Sequence, residues 1–365
     1  MQEAIRKKNC IIISALFVWL VFSSFISQEF YAAATRYATL LIFICLALLF
    51  VGNVSVKEEW KRAPLELSVC VAGIIITGIN LVILGSNKGA FFTAADLLLL
   101  LYLAPKLTLS DKAGRIMAGA VSLLMVWWYA FVRWEYNFNM AGLVFLSLMI
   151  FGELFLEYVK NDLELYYLKY VQLLLFLTTL LFTLCYHARS ALVCTLLFGL
   201  VWGILPRLSG KKGYYALIGI STFGSLIFTG LYAAMARSGR EFTFLYKDIY
   251  SGRQDIWAEI WAAFFSKPLT GIGSSWDIKS FFIFEIHNGL LDILAVHGIL
   301  VFAGVLFLLL KRLSETGRVN FAWYPEKRIA AAGIYCYLFA SFFENGFITA
   351  PYEVLFWVLL LTVLH

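Results

Sequence analysis

Runs of about twenty apolar residues follow one another along the whole chain, and they leave it few folds. A bilayer's hydrocarbon core is about 30 Å thick and takes roughly twenty helical residues to cross. Backbone polar groups in lipid must be satisfied within the span, which leaves helices or closed barrels. Transmembrane strands would show short alternating segments, and these are absent. The apolar runs fall at 10–27, 37–55, 65–84, 90–104, 116–132, 140–158, 169–186, 191–206, 214–235, 288–310, 329–343 and 347–364. Composition agrees: 62% of residues are hydrophobic and 14% charged, against roughly 45–50% and 25% in soluble domains. The expected fold is therefore all-α: a polytopic membrane protein of about 12 transmembrane helices in a single integral domain, 1–365. Arg6, Lys7 and Lys8 precede the first run as in a signal peptide. No small-residue cleavage site follows, so that run reads as a retained span.

The net charge of +6 is informative by position, and it is not a nucleic-acid signature. Lys57, Lys61 and Arg62 share one connection, and Lys106, Lys112 and Arg115 another. Arg207, Lys211 and Lys212 follow, then Lys311, Arg312, Arg318, Lys327 and Arg328. If the spans alternate, all of these fall on the side of the N-terminal cluster. The other side holds only Arg36, Lys88, Arg133 and Arg189 in its short connections. The positive-inside rule makes the first side cytoplasmic. Both termini are then cytoplasmic, and the long segment 236–287 is an extracytoplasmic loop. Trp127, Trp128, Trp134 and Tyr136 crowd span ends, as interfacial aromatic residues do.

Cys10, Cys45, Cys70, Cys185, Cys194 and Cys336 lie in or beside apolar runs with no CxxC pair. They read as small buried residues, not as a disulfide framework or metal ligands.

The polar stretch from Arg237 to Gly298 breaks the apolar pattern, and chemistry is expected there. Ser251-Gly252-Arg253 precedes Ile256, Trp257, Ile260, Trp261 and Phe264 at helical spacing. That is an amphipathic helix lying against the membrane or the bundle. Arg253 falls in its first turn, where the helix dipole disfavours a cation; a bound anion would account for it, as would snorkelling to lipid headgroups. Pro268 ends the helix, and Gly271-Ile272-Gly273 makes a tight turn whose N–H groups either face an anion or simply turn the chain. His287-Asn288 opens the next run, with His297-Gly298 deeper. On a continuous helix an eleven-residue step returns to nearly the same face, so Gly298 would lie three turns below His287 and admit a neighbouring helix. His287 suits a general base or hydroxyl-polarising group, or an interfacial hydrogen bond. His187-Ala188-Arg189-Ser190 is a short outer hairpin that presents Arg189 to the same compartment. Two arginines and a histidine facing outward would suit a diphosphate, since the guanidinium matches phosphate oxygens. Arg237, Arg240 and Lys247 are loop cations that would attract diphosphate or headgroups. Asp96, Glu153, Asp292 and Glu344 fall in or near spans, where carboxylates are costly and often functional; Asp292 is placed to orient His287.

At these residues the chain resembles the O-antigen ligase and polymerase superfamily of bacterial envelope glycan enzymes. The resemblance is carried by Ser251-Gly252-Arg253-Gln254-Asp255-Ile256-Trp257 and Ser266-Lys267-Pro268-Leu269-Thr270-Gly271-Ile272-Gly273. To these are added His287-Asn288-Gly289-Leu290-Leu291 with Gly298, and His187-Ala188-Arg189-Ser190-Ala191 upstream. It covers the region 187–300 best; the first half matches only as a string of spans. The resemblance implies glycosyl transfer at the outer face of the bacterial inner membrane. The donor would be an undecaprenyl-diphosphate-linked glycan, and the acceptor a hydroxyl on lipid A-core (ligase) or on another lipid-linked glycan (polymerase). Arg189 and Arg253 would hold the diphosphate, His287 would activate or orient the acceptor, and Asn288 would fix the imidazole and contact substrate with Arg237, Arg240 and Asp292. No metal or other cofactor is implied. No DxD-like pair faces outward, and Asp162-Leu163-Glu164 falls on the cytoplasmic side. Three positions depart from the pattern: Ala188 stands where Ser or Thr is common, Val301 replaces the usual ligase ending, and no Arg-x10-Gly follows Arg237, Arg240 or Arg253. The ligase ending is the clearer departure, which favours a polymerase.

Two other classes fit a chain of a dozen spans: a flippase or transporter of lipid-linked oligosaccharide, and an assembly protein without catalysis. A transporter should carry broken helices and polar groups near the bilayer midplane, whereas the arginine–histidine set is expected at one face.

Overall fold

The computed structural model describes residues 2–131, 137–236, 243–244, 247–248, 252–280 and 285–365. Ten helices come first: α1 (Gln2–Phe25), α2 (Gln28–Asn53), α3 (Val56–Arg62), α4 (Pro64–Ile83), α5 (Lys88–Leu103), α6 (Asp111–Phe131), α7 (Phe138–Leu163), α8 (Leu168–Cys185), α9 (Arg189–Leu208) and α10 (Lys212–Ala236). A two-residue hairpin pairs Thr243–Phe244 with Lys247–Asp248. Then come α11 (Arg253–Ser266), α12 (Gly289–Thr316), α13 (Pro325–Ala340) and α14 (Ala350–Leu364). Among the described residues, ten helices are long and apolar enough to cross a membrane. The last two expected spans are α13 and α14, with 16 and 15 residues. At 1.5 Å per residue they reach about 24 and 22 Å, short of the hydrocarbon thickness; α14 is almost wholly buried in the bundle, and α13 is buried over most of its length from Ile329 on.

The outer surface is apolar, as a lipid-facing protein requires. On α8 only Leu175, Thr179 and Thr183 are buried, at four-residue steps. Leu173, Leu174, Leu177 and Leu181 on its other faces are more than half exposed. A continuous apolar surface of this extent marks a membrane-embedded face. Inside, small residues let helices approach: Gly142 of α7 lies against Ala188, just ahead of α9, and Ala191 of α9, and Gly333 of α13 against Ile150 of α7.

Connections expected on one side are tied to one another. Lys106 pairs with Glu59, Lys311 and Arg312 pair with Glu66, and Arg115 pairs with Asp162. Gly210 donates to Gly317, and Ser209 to the Val319 carbonyl. The opposite end gathers the other connections. There Asn87 donates its N–H to the Ser274 hydroxyl, and the Trp128 indole to the Phe25 carbonyl. These contacts tie the connections at each end of the bundle to one another.

Candidate active site

The helix expected after Gly252 begins at Arg253, with Gly252 at φ 80° turning the chain into it. One face of it packs on the bundle. Ile256, Trp257, Ile260, Ala263 and Phe264 are buried. The Trp257 indole donates to the Ile286 carbonyl at 2.8 Å, the Trp261 indole to Thr229 Oγ1 at 3.2 Å, and Trp257 packs on Tyr232 at 5.0 Å between ring centroids. This packing fixes both the Arg253 end of the helix and the chain just ahead of His287.

His287 does not open the following helix. It sits two residues before α12 with φ +54°, a conformation that costs a non-glycine residue about 1–2 kcal/mol. Asn288 is the N-cap: its Oδ1 accepts from Leu291 N at 2.9 Å. Its amide also donates to Ser225 Oγ at 2.9 Å and to the Phe342 carbonyl at 3.2 Å. The side chain is fully buried. Asn288 therefore pins the start of α12 to α10 and the 341–345 turn, and it does not fix the imidazole. The next residue, Gly289, has no room for a side chain: a Cβ there would lie 2.2 Å from Ser341 Oγ.

The imidazole is oriented instead by Glu344. Glu344 Oε2 lies 3.0 Å from His287 Nδ1, and Oε1 lies 2.5 Å from Arg253 Nη2. One carboxylate thus joins the Arg and His of the candidate site. The side chains of Arg253, Glu344 and His287 are 16%, 10% and 16% exposed. Burial by itself pushes the Glu344 carboxyl up, but the hydrogen bond with His287 and the charge of Arg253 outweigh it and hold the group below the usual carboxylate range. Glu344 engages the ring at Nδ1, which leaves Nε2 as the nitrogen it does not occupy; a tautomer with its proton on Nδ1 carries the imidazole lone pair there. Asp292, expected to orient His287, instead accepts from Asn345 Nδ2 at 3.1 Å.

Arg189 is the first residue of α9 and is half-buried. Its level in the bundle follows from α13. Gly333 lies beside Ile150, and Tyr337 hydrogen-bonds Ser147 at 2.7 Å, so α7 and α13 run antiparallel. Gly142, farther along in the same direction, meets Ala188 and Ala191. Arg189 therefore stands at the same end of the bundle as the Glu344 turn. Arg237 and Arg240 lie outside the described residues, as does Ser251.

The glycine turn, expected either to face an anion or simply to turn the chain, packs into the next helix. Gly298 has φ 79° and ψ 172°, and it breaks α12. The chain at 267–273 fills that break. Ile272 N donates to the Ala295 carbonyl, Gly273 N to Val296, and Ile299 N to Pro268, at 2.8, 3.1 and 2.9 Å. Asn80 donates to the carbonyls of Thr270 and His297 at 3.0 and 3.4 Å. The Ile272 and Gly273 N–H groups are thus committed to the broken helix and that of Gly271 to the Lys267 carbonyl, so none of the three faces an anion. Gly271 and Gly298 are required by the contact itself: a Cβ on Gly298 would lie 2.3 Å from the Leu269 carbonyl oxygen, and one on Gly271 would lie 2.5 Å from Gly298 N. The motif's two glycine pieces are one interlock, and no continuous stripe runs from His287 to Gly298.

Near His287 is a cavity of about 370 Å³ with a mixed lining. Glu285, Asp292, His297, Asn345 and Thr349 line it with Tyr31, Thr35 and Thr93 from α2 and α5. Glu285, one of the lining residues, lies 3.8 Å from His287 Nδ1, while His287, Arg253 and Glu344 are not themselves part of the lining. Carboxylates, an amide, an imidazole and hydroxyls share this lining with Ala90, Ile293, Ile348 and Ala350; its polar groups are of the kind that bond sugar hydroxyls. Among the described residues, no group of three or more His, Cys, Asp or Glu is placed to hold a metal ion.

Compared with protein-family models and with curated proteins, the chain matches none.

Proposed function

We propose that the protein is a membrane glycosyltransferase of the O-antigen polymerase and ligase type, with polymerase favoured. It would move a glycan from undecaprenyl diphosphate to an acceptor sugar hydroxyl on the extracytoplasmic face of a bacterial inner membrane. In this reading all twelve apolar helices cross the bilayer and both termini are cytoplasmic. The observation that carries the proposal is the joining of Arg253 and His287 through Glu344 at one end of the bundle, beside a hydroxyl-rich cavity.

The acceptor sugar occupies the cavity with a hydroxyl at His287 Nε2. That oxygen attacks the donor's anomeric carbon, its proton passes to the imidazole, and the electron pair of the breaking C1–O bond leaves on the diphosphate. Arg253 and Arg189 offset the charge that grows there. Glu344 stabilises the imidazolium and holds its orientation. Arg237, Arg240 and Lys247 would add to the field that attracts the diphosphate.

The break in α12 supports a second reading. Broken helices beside buried polar groups are what transporters use, and His297 lines the cavity next to that break. One experiment separates the readings. Purified protein in vesicles receives a lipid-diphosphate-linked repeat unit, with and without lipid A-core. Longer lipid-linked chains without core identify a polymerase, and product only on core identifies a ligase. Movement of donor across the bilayer with no transfer product overturns the enzyme reading in favour of a flippase.

A further inference from the structure

A second cavity, of about 390 Å³, lies between α7, α8, α9 and α13. It sits at the far end of the bundle from Glu344: it gathers Glu157 and Lys160 near the end of α7, Lys169 at the start of α8, Trp202 of α9, and Arg328 at the start of α13. Nothing in the proposed reaction uses it.

Its inner wall carries both signs of charge. Glu157 Oε2 accepts from Lys160 at 2.5 Å and from Gln172 at 3.2 Å. Glu157 Oε1 is buried with no hydrogen-bond partner, although the side chain is only 3% exposed. Arg328 stacks its guanidinium 4.3 Å from the centroid of the Trp202 ring, and its Nε is also buried without a partner. Lys169 stands at the rim, 5.0 Å over Tyr170. An orphaned carboxylate oxygen and an orphaned guanidinium N–H in one cavity are costly unless something engages them.

The outer wall is apolar. Leu173, Phe176 and Phe198 line it, and Leu173 belongs to the exposed apolar face of α8. The cavity therefore runs from charged groups at the bundle's end to the surface that acyl chains cover.

We propose that this cavity binds the headgroup of a phosphoethanolamine lipid. The phosphate engages Arg328 and Lys169, the primary ammonium donates to Glu157, and the acyl chains lie along Leu173 and the α8 face. A primary ammonium has N–H donors for Glu157; a quaternary choline has none, and a glycerol headgroup brings no cation. This site is independent of the function proposed for the other end.

The test is native mass spectrometry of the full chain in detergent. Phosphatidylethanolamine, phosphatidylglycerol and phosphatidylcholine with the same acyl chains are added at equal concentration. The expected result is retention of phosphatidylethanolamine about tenfold above either competitor. Arg328→Gln should lower that retention about tenfold, and Glu157→Gln should abolish the preference over phosphatidylglycerol. Equal retention of the three lipids by the wild type overturns the proposal, as does unchanged retention by a monodisperse Arg328→Gln protein. If the variants do not fold, the wild-type ranking decides alone.

Discussion

Replacing Glu344 with glutamine probes the candidate site at its joint. The change preserves shape and removes the charge that Arg253 and His287 share. Breaking a fully buried ion pair by removing one partner costs about 3–5 kcal/mol. Here Arg253 and Glu344 are 16% and 10% exposed, so water screens part of the loss and about 2–3 kcal/mol is expected. The chemical effect should be larger. A glutamine amide can donate to Nδ1, which puts the imidazole proton on Nε2 and removes the base. General-base assistance contributes about 10²–10⁴, so transfer should fall by at least a hundredfold in protein that remains folded. The pH dependence gives an independent check. Glu344 is held below its ordinary value of 4.5, so its stabilisation is present above that value and lost as pH falls through the depressed one. Wild type should therefore lose unfolding temperature progressively below about pH 5, and Glu344→Gln should lack that component. The assays are initial transfer rates and thermal unfolding in detergent across this range. A variant that transfers within twofold of wild type, with the same acid limb, would refute the reasoning.

Three further outcomes follow from the packing. Gly298→Ala puts a Cβ 2.3 Å from a backbone oxygen at φ 79°, so a loss of roughly 3–5 kcal/mol is expected, whereas Gly203→Ala, which meets nothing within 4 Å, should be neutral or better. Equal unfolding temperatures for the two variants would contradict the interlock. Asn288→Ala removes the cap on Leu291 and leaves Ser225 and the Phe342 carbonyl short of a partner; about 2 kcal/mol should be lost with no change in KM for the glycan, and a raised KM in stable protein would make Asn288 a substrate contact. Arg312→Met removes one of the two cations on buried Glu66, leaving Lys311, and takes the partner from Glu315; it should cost about 2–3 kcal/mol, only partly recovered when Glu66→Leu is added because Lys311 then loses its carboxylate, and unfolding-temperature measurements on the single and double variants decide it.

Much of the membrane architecture was legible because lipid imposes its demand locally, residue by residue. The apolar runs stand out without tertiary knowledge, and Gly252 with Arg253 marks the start of α11 correctly. The sequence also drew attention to His287, Asn288 and Glu344, but not to how they divide the work. Glu344 pairs with partners 57 and 91 residues away, and nothing in its own run, Phe342 to Phe347, announces either contact. Helical periodicity misled at Gly298, because the eleven-residue step assumes an unbroken helix. The break exists only because 267–273 supplies the missing hydrogen bonds, which is again a tertiary fact. The short lengths of α13 and α14 are likewise tolerated because neighbouring helices bury nearly all of α14 and most of α13.

The central claim is that Arg253 and His287 act together on a lipid-linked glycan. The most direct measurement is the rate of glycan transfer from a lipid-diphosphate donor by wild type, His287→Ala and Arg253→Ala, each shown to be monodisperse in detergent. The account predicts product with wild type and at least a hundredfold loss in both variants. Transfer at the wild-type rate by folded His287→Ala would contradict it.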